Sequence, residues 1–177
     1  MKKLILMLIL ILSASFCYAE TECWILCQPD SYVNVRPNSN KKGQTEGYLL
    51  CGDKAVTENA IRNGYLFLTQ VSTERGEGWV NSGYVVYSKP VYLNKKVNIC
   101  SKGRVACRRA IDGSRRCWAK DGDTVTVYYV SDEWSITNKG FIKTEYLGVS
   151  YDVCSRFLAS GSHNGEPEGL YFEDDER

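Results

Sequence analysis

An all-β chain, built as two small barrels in tandem and closed by a short acidic tail, is what the sequence predicts, on three observations. After the first nineteen residues no stretch sustains a helical period. Segments of four to eight residues rich in Val, Tyr, Trp and Thr alternate with clusters of Gly, Asn, Asp and Ser, which is the pattern of half-buried strands joined by tight turns. The phrase "GWVNSGYV" at residues 78–85 returns as "GFIKTEYL" at 140–147, and an ordered echo of that kind marks a tandem duplication.

Residues 1–19 come first. Lys2 and Lys3 precede an apolar run from Leu4 to Leu12, followed by small residues and "CYA" before Glu20, which predicts a secretory signal peptide cut after Ala19. The run is too short for a bilayer core of about 30 Å, so no transmembrane span is expected. A lipid anchor at Cys17 is disfavoured, because Phe16 stands where such a signal takes a small residue. The expected location is therefore secreted or periplasmic.

The first barrel is expected over 27–87 and the second over 102–150. "YVNVRPN" (32–38) answers "RVACRRA" (104–110), "GYLLCGDKAV" (47–56) answers "CWAKDGDTVTV" (117–127), and "GYLFLTQV" (64–71) answers "EWSITN" (133–138), always in the same order. Between them 88–101, with Pro90 and the pair Lys95 and Lys96, reads as a linker. From 151 to 177 the chain turns acidic: seven Asp and Glu against two Arg, with disorder predicted after about Ser160. "YDVCSRFL" could still dock on the second copy through Phe157 and Leu158.

Seven of the eight cysteines follow the predicted cleavage site, a density that in an exported chain reads as disulfides. Spacing alone leaves connectivity open. The pairs that would staple the small copies are Cys27 with Cys51, Cys107 with Cys117, and Cys100 with Cys154. Cys23 is then left over, for a bond between two chains or a local one with Cys27. No Cys-x-x-Cys is present, which argues against structural zinc and against dithiol redox chemistry.

Enzymatic function is not expected. The single histidine, His163, lies in the acidic tail, where nothing would hold an imidazole against a nucleophile. Asp121 and Asp123 flank Gly122, which suits a turn better than a pair of catalytic carboxylates. No cofactor or metal is implied.

At this point the motifs resemble the bacterial SH3-like domain, a small barrel recurring in secreted and cell-envelope proteins. The first copy matches at Val33, Asn34, Val35 and Arg36, at Gly52 and Asp53, and at Gly78, Trp79, Val80, Ser82, Tyr84 and Val85. The second matches at Gly122, Asp123, Trp134, Gly140, Phe141, Ile142, Tyr146 and Leu147, but opens with "VACRR" in place of the family's "LNVRS". The resemblance implies a non-catalytic module that binds peptidoglycan, a wall peptide or a protein partner. Its alternative is an envelope component that contacts protein alone, in a structural or inhibitory role.

Candidate contacts follow from the residues. "CRRAIDGSRRC" puts Arg108, Arg109, Arg115 and Arg116 in one hairpin, extended by Arg104, Lys102 and Lys120. Guanidinium forks match carboxylates and phosphates, although charge runs are most often solvated turns. A cell-wall polymer, an exported protein or the acidic tail itself are the partners this charge suits. Nucleic acid is not expected, since the whole chain is near neutral, with 22 basic and 21 acidic residues. Aromatics repeated in both copies, Trp79, Tyr84, Trp134, Phe141 and Tyr146, are expected in barrel cores, whereas Trp24 and Trp118 lack counterparts and are better ligand contacts.

Overall fold

The structure, a computed structural model, describes residues 20–42, 44–71, 76–152 and Cys154. The predicted signal peptide and nearly all of the acidic tail lie outside the described residues. The chain is all-β, as its alternation predicts. β1 (Thr21–Ile25), β2 (Tyr32–Val35), β3 (Gly47–Leu50), β4 (Lys54–Arg62), β5 (Tyr65–Gln70), β6 (Gly78–Asn81) and β7 (Val85–Val86) form a first half. β8 (Val91–Asn98), β9 (Val105–Arg108), β10 (Arg115–Ala119), β11 (Thr124–Val130), β12 (Trp134–Thr137) and β13 (Gly140–Lys143) form a second. A 3₁₀ turn follows β6 at Ser82–Tyr84 and another follows β13 at Thr144–Tyr146.

Both halves follow one plan. The second is an antiparallel sheet of order β10-β9-β13-β12-β11-β8. The first runs β6-β5-β4-β1-β7, and an Arg36↔Trp79 bridge carries it on into the β2-β3 ribbon, completing the same order. Equivalent hydrogen bonds repeat across the halves. Gly52 donates to Ile25 O and Gly122 to Ile99 O, both at 2.8 Å, while Leu26 donates to Tyr84 O and Cys100 to Tyr146 O. The Gly-Asp pairs are turns in which the carboxylate accepts a backbone N–H: Leu50 to Asp53 at 2.8 Å and Lys120 to Asp123 at 3.0 Å. The Lys120 N–H and then Lys139 hold the Asp123 carboxyl below its ordinary pKa, so this aspartate fixes a turn.

Residues 88–101, expected as a linker, are instead largely strand. β8 pairs with β11 from Val91↔Val130 to Asn98↔Thr124 and is the counterpart of β1. A register shift there, with Asn94 at φ 50°, interrupts the two-residue alternation, and the strand is therefore hidden in the sequence. Pro90 sits just outside the ladder, where no N–H is needed. Likewise the first half begins at β1, ahead of residue 27, with Cys23 and Ile25 fully buried.

Each half packs its own core. Ile25, Val35, Leu49, Leu66, Leu68 and Val80 fill the first, and Val97, Ile99, Val125, Val127 and Ile142 the second. A third cluster joins the halves: Leu26 and Val86 from the first meet Trp134, Ile136 and Phe141 from the second, with Tyr84 against Phe141 at 5.8 Å. Gln28 Nε2 donates to Thr137 O and the Ile111 N–H to Gly83 O across the same junction.

That junction corrects the expected place of the repeated aromatics. Pleating sends successive side chains to opposite faces, and in "GWV" and "GFI" it is Val80 and Ile142 that turn inward, both at 0% exposure. Trp79 and Phe141 point out of their own barrels. Trp79 stays half-buried against Phe67, whereas Phe141 is covered by the first half. The preceding glycine lets β2 or β9 cross closely. A Cβ on Gly78 would stand 2.5 Å from Val35 Cγ1 and 3.1 Å from Arg36 O, and one on Gly140 would meet the Arg108 carbonyl oxygen.

Candidate ligand-binding groove

The β9-β10 hairpin stands at the edge of the second sheet. Val105 and Cys107 turn into the core opposite Ala119 and Cys117, which leaves Arg104, Ala106, Arg108 and Trp118 on the outer face. A register shift between Arg115 and Cys117 adds Arg116 as the extra residue of a bulge.

This face forms one wall of a groove of about 730 Å³. Lys102, Arg104, Arg108 and Trp118 line it from the hairpin side. Trp134, Lys143 and Tyr146 close it from β12, β13 and the turn that follows. Four cations face two acids, Asp112 and Glu133. The Arg108 guanidinium donates to Gly113 O at 3.1 Å, which fixes its direction. Arg115 stacks 4.5 Å from the centre of the Trp118 ring, and Lys143 lies 6.0 Å from that of Trp134. A shallower hollow lined by Lys102, Arg104, Lys120 and Asp121 adjoins it. Among the described residues Arg104 makes no ion pair. The groove therefore offers guanidinium and ammonium groups, that of Arg108 held by a backbone carbonyl, beside aromatic faces, a surface suited to an anionic ligand that also has an apolar part.

The structure brings Arg104, Arg108 and Trp118 together, with Arg115 stacked on the indole. Arg109 and Arg116 are exposed beside the groove without lining it, and the Arg109 N–H closes the hairpin turn on Ser114 O. Trp24 sits elsewhere, partly buried against the cluster between the halves. Lys143, Trp134 and Tyr146 were not expected in the groove. Lys143 belongs to the phrase "GFIKTEYL" itself and replaces Asn81 of "GWVNSGYV", a charge difference between the copies that could have marked it.

All seven described cysteines are thiols in this structure. Two of the expected pairs are neighbours. The Cys27 N–H donates to Cys51 Sγ at 3.4 Å, and Cys107 and Cys117 face each other across the β9-β10 ladder. A side-chain hydrogen bond between the two thiols, and then burial, push the Cys27 thiol up, while that side-chain bond, helped by the Cys27 N–H, pulls Cys51 down. Burial, and then Cys117, push Cys107 up to about 12. Cys100 is exposed against Asn98 O while Cys154 is buried, and no bond joins them. Cys23 is at 0% exposure in the first core, its thiol raised to about 11 by burial. A bond from Cys23 to a second chain is therefore not open to the folded protein, which corrects that expectation.

Among the described residues no helix is long and apolar enough to cross a membrane. No protein-family model and no curated protein matches the sequence. Solved structures similar to the chain include NlpC1 and NlpC2 from Trichomonas vaginalis, each at 13% identity and a TM-score of 0.33. The similarity covers 75% of this chain and 46% of NlpC1, and 76% of this chain and 49% of NlpC2, so the chain spans about half the length of both.

Proposed function

We propose that the protein is a secreted or periplasmic, non-catalytic binding protein that holds an anionic ligand of the cell wall or envelope in the groove beside the β9-β10 hairpin. The observation that carries the reading is the convergence of Lys102, Arg104, Arg108 and Lys143 around Trp118, Trp134 and Tyr146. The resemblance of its motifs to bacterial SH3-like domains supports the wall as the source of that ligand. A carboxylate or phosphate would bridge Arg104 and Arg108, and an attached apolar group would lie on the indole of Trp118.

Sedimentation with purified peptidoglycan tests it. A charge-assisted hydrogen bond is worth about 1.5 to 3 kcal/mol, so Arg104→Ala is expected to weaken binding about tenfold or more, and added salt to weaken it further. Trp118→Ala should do likewise. No sedimentation of the intact protein, together with a stable crosslinked protein partner, would support the protein-only alternative.

Export carries its own expectation for the thiols. In an oxidising compartment Cys27–Cys51 and Cys107–Cys117 form disulfides, each contributing about 3 kcal/mol in the loop-entropy model. Mass spectrometry of an unreduced digest should show both linked peptides, and Cys23 should alkylate only after unfolding. Rapid alkylation of Cys23 in the native protein would contradict its burial.

A further inference from the structure

We infer that the first half carries a second ligand surface, on the outer face of the β2-β3 hairpin, and that it takes a neutral saccharide. The register places it. Val33↔Leu49, Asn34↔Tyr48 and Val35↔Gly47 in the first half correspond to Val105↔Ala119, Ala106↔Trp118 and Cys107↔Cys117 in the second. Tyr48 thus occupies the place of Trp118, Tyr32 that of Arg104, and Leu50 that of Lys120. The exposed aromatic on the second strand is kept, while the cations around it become a tyrosine and a leucine.

The exposure is unusual for such side chains. Tyr32 is 59% exposed, Tyr48 63% and Leu50 52%, with the two phenol rings 5.5 Å apart and tilted by 51°. Together with Asn34 they form a strip of ring faces, hydroxyls and one carboxamide that carries no formal charge itself, flanked by Arg36 and Glu46 at one end and by the Asp53 carboxylate, which accepts the Leu50 N–H, at the other. Its size selects the occupant. An aromatic side chain offers roughly 200 Å², so two tyrosines and a leucine at these exposures present roughly 350 Å². A lasting protein interface needs about 800 Å² from each partner, whereas a strip of a few hundred Å² suits a ligand of one or two rings. The strip itself has no formal charge and its borders carry both signs, so it gives no reason to select an anion. A pyranose presents C–H faces to the rings and hydroxyls to Asn34 and the tyrosine O–H groups. The placement is drawn by comparison with the cationic groove, but the ligand is different, so the two readings fail separately.

The test is NMR titration of the whole exported chain with two neutral probes, the N-acetylglucosamine tetramer and a glucose tetramer. Saturable shifts at millimolar concentration are expected with at least one of them. Tyr48→Ala should weaken that binding at least about tenfold, and Tyr48→Phe, which keeps the ring, should retain it within about twofold. Arg104→Ala and about 0.5 M salt should leave it unchanged, because screening acts on charge. Failure of both tetramers to bind, or equal binding by Tyr48→Ala, would overturn the proposal, as would concentration-dependent dimerisation abolished by Tyr48→Ala. The last result would assign the strip to a second copy of the chain. Loss of wall sedimentation in Arg104→Ala with sugar binding intact would keep both surfaces, and sedimentation unaffected by Arg104→Ala would count against the groove alone.

Discussion

Phe141→Ala is expected to destabilise the protein by about 3 to 5 kcal/mol, the range for removing a buried phenyl ring. Phe141 is only 2% exposed and lies in the cluster formed by Leu26, Val86, Trp134 and Ile136, with Tyr84 beside it. Its truncation opens a cavity at the seam between the halves and leaves both barrel cores untouched. Two consequences should appear together in urea unfolding: a lower midpoint, and a transition that broadens or splits as the halves lose their coupling. Trp134 fluorescence should shift to the red as water enters. A loss below about 1 kcal/mol with undiminished cooperativity would show that the halves do not rest on each other through this ring.

Gly140→Ala, one residue earlier, is expected to cost about 3 kcal/mol or more and to weaken the groove as well. Gly140 has φ +116°, which strains any residue with a side chain by about 1 to 3 kcal/mol. An added Cβ also meets the Arg108 carbonyl oxygen, with Arg108 C at 3.5 Å, and backbone cannot rotate away as a side-chain tip could. The strand that must move is β9, which pairs with β13 at Phe141↔Arg108 and bears Arg108, with Arg104 just ahead of it. Anionic-ligand binding should fall about tenfold alongside stability. Gly122→Ala is the control: it has φ +76° but nothing within 4 Å of its would-be Cβ, so it should cost about 1 kcal/mol and leave the groove intact. Equal losses at the two positions would mean that conformational strain, not the crossing of β9, sets the need for glycine.

Much of the fold was legible because it is written in local pattern. Alternation over "YVNV" and "TVTV" gave strands β2 and β11, and the Gly-Asp pairs gave the turns after β3 and β10. The paired phrases gave the equivalence of β6 and β13. β8 was not legible, since a register shift at Asn94 breaks the very alternation that reveals a strand. Trp79 and Phe141 were misplaced for a related reason. Repetition shows that two residues occupy the same place in their barrels, but not what lies outside each barrel.

The groove divides in the same way. Arg104, Arg108 and Trp118 stood out as a charged hairpin with an unmatched indole, a feature of contiguous sequence. Lys143, Trp134 and Tyr146 come from two strands and a turn up to 28 positions further on than Trp118 and meet the hairpin only because β13 lies beside β9.

The sequence by itself determined the all-β class, the turn chemistry and the difference in charge between the β2-β3 and β9-β10 hairpins. These are properties of residue order and short-range sterics. Only the tertiary structure decided that the two halves share a third core, that Cys23 is sealed inside the first, and that the arginine hairpin faces aromatics carried by β12 and by the turn after β13. Each depends on which surfaces of distant strands come into contact, and contact between distant strands is set by packing across the whole molecule.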